Sequence, residues 1–183
     1  MRVLKYIFLL LLLSLVTLSI FVATQKGEFT IEKSKTIQSP KSTVYNYITN
    51  SKNWKEWNSW AVEDSLIQIT YTQNTLKKGA LLYWEGKENT GDIETLTNVS
   101  NNSIFQKMNF NGNSAELNLK LKDTLKGTKI TWKATVKLGF INKIIATING
   151  NTKNELSTML EKSLANLDRR LDYEVNTFSV NII

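Results

Sequence analysis

An uninterrupted apolar run occupies the beginning of the chain. Residues 6–23 contain no charged side chain, and at about 1.5 Å of helical rise per residue they would span most of a hydrocarbon core roughly 30 Å thick. A cleaved signal peptide has a shorter apolar region and small residues at positions −3 and −1 before the cut, whereas cleavage after Ala23 would place Phe21 at −3. The pattern favours an uncleaved membrane anchor over residues 1–25, with a cleaved signal segment as the alternative.

Basic residues flank this run unequally. Arg2 and Lys5 precede it, together with the terminal amine, and Lys26 follows it. By the positive-inside rule, this asymmetry keeps the N-terminus in the cytoplasm. We therefore expect a single-pass membrane protein whose remaining residues lie on the extracytoplasmic, periplasmic side.

Beyond the anchor, apolar and polar residues alternate with the period of two that strands require. The alternation is cleanest over residues 115–122 and 130–138, where one face is apolar and the other is rich in lysine. Such two-faced strands are typical of an antiparallel sheet that is covered on one side. Asn111-Gly112-Asn113 gives the strongest hairpin signal. Further strands are predicted over residues 29–37, 80–85, 90–99 and 103–110, and residues 66–72 give a mixed pattern.

Helical spacing appears in three places. Ser39 and Pro40 suit the N-cap and first position of a short helix over residues 40–50. Tryptophans recur at every third position over residues 54–60, as expected of a helical turn with one aromatic side. A final helix of about 20 residues follows the capping segment 149–152. Its apolar stripe comprises Leu156, Leu160, Ser163, Leu164, Leu167 and Leu171.

The order of these elements indicates the fold class. One strand and two short helices precede about six strands, and the long helix comes last. Strands that run together, with helices at the ends, indicate an α+β fold rather than an α/β fold. We expect the final helix to cover the apolar face of the sheet.

Composition then excludes several kinds of chemistry. The chain has no His and no Cys, which rules out a Ser-His-Asp triad, a Cys nucleophile, a thiolate zinc site and a disulfide. No catalytic residue and no cofactor are predicted. No metal site is predicted either, since the acidic pair Glu63 and Asp64 has no evident third ligand.

The charge is positive but spread out. The formal net charge is +7, and the scattered lysines indicate a solvated surface rather than a nucleic-acid interface. Nucleic acid is also a poor partner for a domain expected outside the cytoplasm. Five lysines should gather on the outer face of two neighbouring strands, where they either face solvent or rest on anionic lipid headgroups. These are Lys120, Lys122, Lys129, Lys133 and Lys137.

Three local motifs occur in an order that resembles the START-like (SRPBCC, polyketide cyclase/dehydrase and lipid-transport-like) superfamily. They are the tryptophan segment 54–60, Gly79 followed by Tyr-Trp-Glu-Gly at 83–86, and Gly-Thr-Lys-Ile-Thr-Trp at 127–132. The resemblance covers residues 28 to 174 and implies a helix-grip fold, in which a curved antiparallel sheet wraps the long C-terminal helix around an apolar cavity. We assign the domain to residues 26–174. The strand-like tail 175–183 is interpreted as a stub of the second domain that some anchored relatives carry.

The predicted ligand site is this cavity between sheet and helix. Its candidate lining residues are Trp54, Trp57, Trp60, Trp84, Met108, Phe110, Leu117, Leu119, Trp132, Ala134, Leu160 and Leu164. The alternative is that the same residues fill a dry core, with the three tryptophans of residues 54–60 plugging it instead of gating a mouth.

Three functions remain open from the sequence. The favoured hypothesis is a non-enzymatic domain that holds a small apolar molecule or a lipid near the membrane. The second is a cyclase- or hydrolase-like enzyme, which needs a buried acid or base from among Glu85, Asp92, Glu94, Tyr71 and Tyr83. Strict alternation places Glu85 opposite Trp84 and so on the solvent face. The third is a structural or protein-interaction domain with a filled core, whose protein partner the sequence does not identify.

Overall fold

The computed structural model describes residues 2–76 and 78–180, with side chains described as far as Asp172. The helices are α1 (Arg2–Thr24), α2 (Lys41–Thr49), α3 (Trp54–Trp57), α4 (Ser59–Glu63), α5 (Phe140–Asn149) and α6 (Thr152–Val180), with a 3-10 turn at Ser51–Asn53. The strands are β1 (Glu28–Ile37), β2 (Gln68–Tyr71), β3 (Leu81–Glu85), β4 (Thr90–Val99), β5 (Ser103–Phe110), β6 (Asn113–Thr124) and β7 (Gly127–Lys137). The predicted α+β class is confirmed.

The strands form one antiparallel sheet. Within the described residues it has seven strands in the order β1-β7-β6-β5-β4-β3-β2. Strands β2 to β7 are neighbours in sequence, and β1 joins the far side of β7 with Glu28 opposite Lys137. The β5–β6 turn is tight because Asn111 and Gly112 both have positive φ values, of 46° and 76°. This pair of left-handed residues is the geometry expected of the predicted hairpin.

Helix α6 crosses the concave face of the sheet, as the helix-grip resemblance implies. Its predicted apolar stripe is buried throughout, with Leu167 and Leu171 fully inaccessible to solvent. At the β1 edge, two lysines share the helix-facing side of the strand. Lys33 and Lys35 pair with Glu161 and Asp168 of α6 at 2.9 Å each.

The tryptophan segment folds as two short helices instead of one turn. Asn58 separates α3 from α4 with an extended ψ of 129°, and its side chain caps α4 by accepting a hydrogen bond from the Trp60 N–H. Ser59 joins this region to α6, because its N–H donates to Ser163 Oγ at 2.9 Å and its hydroxyl donates to the Met159 carbonyl at 3.0 Å. The break therefore docks both helices against α6.

Three sequence expectations need correction. Pro40, not Ser39, is the N-cap of α2, and the buried Ser39 hydroxyl makes no cap hydrogen bond. Helix α6 has 29 residues and continues through Val180. The strand-like interpretation of the tail is therefore wrong over residues 175–180, because the long helix simply propagates into it. Residues 181–183 lie outside the described part of the chain.

Helix α5 was not predicted. It ends at Gly150, which adopts a left-handed φ of 69° as the C-cap. The segment 149–152 was expected to start the final helix. Helix α6 does begin within this segment, at Thr152, and the same segment also holds the end of α5 at Asn149.

Candidate ligand-binding site

The predicted lining residues come together in one buried core. All twelve are buried and belong to a single hydrophobic cluster formed by the inner face of the sheet, α3, α4 and α6. The five lysines predicted on the other face of β6 and β7 are exposed there, with Lys122 directly opposite Lys129. The sequence pattern thus assigned the correct side of the sheet to each of these residues.

The three tryptophans of α3 and α4 pack on aromatic residues of the sheet. Ring centroids lie 5.2 Å apart for Trp54 and Trp84, and 6.0 Å apart for Trp60 and Phe110. Trp57 meets Trp132 edge-on at 5.3 Å. Edge-on and tilted arrangements at these distances are favourable aromatic contacts. This packing is the one that the core-filling alternative describes.

One pocket between the sheet and the short helices is almost filled, whereas a groove of about 310 Å³ remains open beside Trp60 and Met159. A pocket between α2, α3 and strands β3 to β6 has a volume of about 10 Å³, which is room for roughly one water molecule. The open cavity expected from the resemblance is therefore closed at this place. Of the predicted residues, Trp54, Trp57 and Leu119 line the pocket. The other lining residues are Ile48, Thr49, Ser51, Ala80, Leu82, Ile93, Thr95, Ile104 and Gln106.

Two polar side chains of the sheet face this pocket, and the sequence analysis did not identify them. Gln106 Nε2 donates to Thr95 Oγ1 at 3.2 Å. The two residues are direct partners across β4 and β5, next to the register shift between Thr95 and Thr97. Thr95 shares its side of β4 with Ile93, and Gln106 shares its side of β5 with Met108. A polar residue at a core-facing position of a strand was the signal that could have identified each of them.

Several buried donors have no partner among the described residues. The indole Nε1 atoms of Trp57, Trp84 and Trp132 are inaccessible to solvent and make no hydrogen bond. The Tyr71 hydroxyl is likewise buried without a hydrogen-bond partner. A buried polar group without a partner costs about 1–3 kcal/mol. Trp57 is the member of this set that lines the pocket.

A charged cluster on the outside of α3 holds that helix in place. Tyr47 of α2 donates its hydroxyl proton to Glu56 Oε2 at 2.9 Å, and Arg170 Nε of α6 lies 2.7 Å from the same oxygen. Burial raises the pKa of Tyr47 to about 12; Glu56 adds to the rise and Arg170 opposes it. Hydrogen bonding to Tyr47, followed by the charge of Glu56, raises the pKa of Arg170. The members of this cluster are far apart in the chain, so no local sequence pattern predicted it.

The candidate acids and bases of the enzyme hypothesis lie mostly outside the core. Glu85 and Tyr83 are exposed, and Asp92 and Glu94 are half-buried on the outer face of β4. Asp92 accepts hydrogen bonds from Asn109 Nδ2 at 2.9 and 3.2 Å. Tyr71 differs, since burial foremost and then the charge of Glu56 raise its pKa.

The acidic pair at the end of α4 has other partners. Glu63 pairs with Lys162 at 2.8 Å, and Asp64 accepts from the Lys87 N–H at 2.8 Å. Over residues 2–76 and 78–180, no three His, Cys, Asp or Glu side chains come together as a metal site would require.

A known family covers most of this domain. The family model described as "Activator of Hsp90 ATPase homolog 1-like protein" matches residues 38–172. The chain belongs to this family. Membership confirms the START-like resemblance and the helix-grip fold. The match begins after β1 and ends within α6, so it includes the tryptophan segment, the pocket and the Glu56 cluster.

Solved structures share the fold at low sequence identity. Protein CV1439 from Chromobacterium violaceum has a TM-score of 0.58 at 11% identity, over 76% of this chain and 94% of that one. A protein from Rhizobium leguminosarum has a TM-score of 0.61 at 14% identity, over 80% and 95% of the two chains. DynU16, from the dynemicin biosynthetic locus, has a TM-score of 0.54 at 14% identity, over 81% and 48%. No protein of curated function matches this sequence.

Proposed function

We propose that this protein is a membrane-tethered, non-enzymatic domain that binds a small, largely apolar molecule or a lipid between its sheet and its helices. Within the described residues, α1 is the helix that is long and apolar enough to cross a bilayer. Its residues are almost all exposed, with Val22 as the buried exception. The basic residues before α1 favour a cytoplasmic N-terminus and a domain on the extracytoplasmic side.

The observation that carries the proposal is the chemistry of the pocket. Apolar walls meet the Thr95–Gln106 pair, and Trp57, whose indole N–H is buried without a partner among the described residues, is also a lining residue. Small-molecule sites are mostly apolar and contain a few polar groups that fix the orientation of the ligand. A ligand with one hydrogen-bond acceptor would satisfy a donor that is now buried without a partner.

The size of the pocket requires that binding move α3. At about 10 Å³ the space is too small for any organic ligand, so under this proposal the ligand-bound form must be more open than the structure described here. Helix α3 has only four residues between a 3-10 turn and the break at Asn58. Its displacement would carry Trp54 and Trp57 outwards. Burial of the ligand would supply the binding energy, at roughly 25 cal/mol per Å² of apolar surface.

The enzyme hypothesis has less support from the same geometry. No carboxylate lines the pocket among the described residues, and the buried candidate is the single hydroxyl of Tyr71. Acid–base catalysis by the pocket would need a group that titrates within it. The interaction-domain hypothesis agrees with the filled core and is the competing outcome of the experiment below.

The test is co-purification of a ligand with the full chain. Native mass spectrometry of the detergent-solubilised protein, followed by organic extraction, should show a bound small molecule. Gln106→Leu should lower the affinity for the ligand about fivefold, because the loss of one hydrogen bond in a buried site costs on the order of 1 kcal/mol. Gln68→Leu, at an exposed position of β2, is the matched control and should retain the ligand. Binding should also change the fluorescence of Trp54 and Trp57.

Two results would contradict the proposal. Equal occupancy in the wild-type chain and the Gln106→Leu variant would place the molecule elsewhere. Recovery of the chain with nothing bound, and with unchanged tryptophan fluorescence on addition of its host's lipid extract, would support the interaction-domain hypothesis instead.

A further inference from the structure

Helix α5 turns its apolar side away from the protein. At 100° per residue, its one phenylalanine and four isoleucines fall within an arc of about 140°. Phe140, Ile141, Ile145 and Ile148 are 55%, 65%, 46% and 71% exposed, and no residue of the helix is buried. An amphipathic helix of a soluble domain has the opposite orientation, with its apolar side against the core.

Polar contacts fix this orientation. Asn142 Nδ2 donates to the Asn111 carbonyl at 2.6 Å, and the Gly139 N–H donates to Asn113 Oδ1 at 3.1 Å. The remaining contact comes from Lys143, whose Nζ donates to the Ala23 carbonyl at 3.1 Å. The polar side of α5 is therefore bonded to the β5–β6 turn and to the end of α1. On the apolar side, Ile144 is half-buried, and the other four large residues remain exposed.

The position of α5 indicates which medium covers that side. Lys143 reaches the last turn of α1, and the Leu138 N–H donates to the Gly27 carbonyl at 2.8 Å, just after α1 ends. The helix therefore lies at the level where the apolar segment stops. A groove of about 260 Å³ lies between the residues that follow α1, helix α5 and the beginning of α6, and Lys26, Lys143 and Lys153 are among its lining residues. Lysines at this level suit the phosphates of a bilayer surface.

We propose that α5 is an interfacial helix that lies in the surface of the bilayer crossed by α1. Its apolar side enters the acyl-chain boundary, and the three lysines of the groove meet anionic headgroups. A helix with an apolar side, a polar side and flanking lysines is the form that peripheral membrane helices take. The inference rests on the membrane tether of the proposed function and is independent of the ligand pocket.

The absence of cysteine from the sequence allows a direct test with single labels. Ile148→Cys in the full chain would carry an environment-sensitive fluorophore, in vesicles of phosphatidylcholine and phosphatidylglycerol with nitroxide-labelled acyl chains. Leu15→Cys in α1 marks the tether. Leu125→Cys is the matched control, since it is apolar and fully exposed at the other end of β7, roughly 35 Å from Lys137 along the strand.

We expect the lipid nitroxide to quench the label at position 148 several-fold more than the label at position 125. Quenching at position 15 but not at position 148 would overturn the inference and leave the tether intact. This is the result expected if a partner protein or a second copy of the chain covers the apolar side of α5. No quenching at either 15 or 148 would overturn both the inference and the tether.

A second pair of variants tests whether α5 is embedded in the bilayer or only lies near its surface. Ile141→Asp combined with Ile145→Asp should abolish quenching at position 148, whereas Leu125→Asp should leave it unchanged. All of these side chains are exposed, so circular dichroism and the thermal midpoint in detergent should match the parent protein. Retained quenching at 148 in the double variant would overturn the proposal.

Discussion

Helices α5 and α6 follow each other in the chain, and their apolar sides face different surroundings. Only Gly150 and Asn151 separate the two helices. Leu167 of α6 is fully buried against the sheet, whereas Ile148 of α5 is 71% exposed. Both helices repeat large aliphatic residues at helical spacing. The comparison teaches that helical periodicity identifies the apolar side of a helix. It does not identify what covers that side.

The energetic consequence differs accordingly. Burial of one large aliphatic side chain contributes about 1.5–3 kcal/mol. For α6 this gain is realised within the domain and stabilises the fold. For α5 the gain would be realised only when the bilayer surface covers it, so it would stabilise the attachment and not the fold.

The largest expected effect is on the α6 side of the comparison. Leu167→Ala removes a fully buried side chain and should lower the free energy of unfolding by about 2–5 kcal/mol, through lost burial and the cavity that remains. Urea unfolding of the full chain in detergent, followed by tryptophan fluorescence, measures this. A loss below about 1 kcal/mol would mean that α6 does not pack in the core as described.

An intermediate effect on the free energy of unfolding is expected from the Tyr47 hydroxyl, which links α2 to α3. The pKa of Tyr47 is near 12 in the folded chain, against an ordinary value of 10. Below pH 10 the folded and the unfolded states both hold the Tyr47 hydroxyl proton, and the full contribution of this group to the free energy of unfolding is present. As the pH rises towards 12, the unfolded state loses the proton first, so the free energy of unfolding falls, by at most about 3 kcal/mol.

Alkaline unfolding of Tyr47→Phe isolates this contribution. The variant should be less stable at neutral pH and should show a shallower loss of stability above pH 10. Tyr83→Phe, at an exposed position, is the control and should follow the wild-type curve. Parallel curves for wild type and Tyr47→Phe would show that the Tyr47–Glu56 contact is not maintained in solution.

The smallest effect is expected on the α5 side. Ile148→Ser should change the free energy of unfolding in detergent by less than about 0.5 kcal/mol, because an exposed side chain contributes little to the fold. The same urea titration as for Leu167→Ala provides the measurement. A loss comparable to that of Leu167→Ala would show that the apolar side of α5 is buried in the protein, and the contrast between the two helices would disappear.

The sequence predicted the sheet well because alternation encodes it directly. Strand β5 begins and ends at the predicted residues, and β6 and β7 present the predicted sides to the core. Register follows from period-two patterning, since a slip of one residue would expose every apolar side chain. Helix α5 was overlooked although its isoleucines have helical spacing, because no core face remained for it to cover.

The site was less predictable for a physical reason. Strand parity identified the side of the sheet that faces the pocket, but the pocket's volume depends on how Trp54 and Trp57 fill the space beside it. The contacts between Tyr47, Glu56 and Arg170 join three helices, and local pattern carries no signal for such pairings. The tail was misassigned because its Tyr, Val, Thr and Phe residues have high strand propensity, which continuation of an existing helix overrides.

Attachment to the bilayer through both α1 and α5, as proposed, would have a mechanical consequence for the domain. A domain held by a single helix rotates freely about the axis of that helix, whereas contact through α5 as well would remove this rotation. The sheet would then keep one orientation, with its strands leading away from the lipid. Leu119, which lines the pocket, is paired with Trp132 of β7, and Trp132 is five residues from Lys137 at the end of that strand, or roughly 15 Å. At that height the pocket would exchange its ligand with the aqueous compartment and not with the acyl chains below.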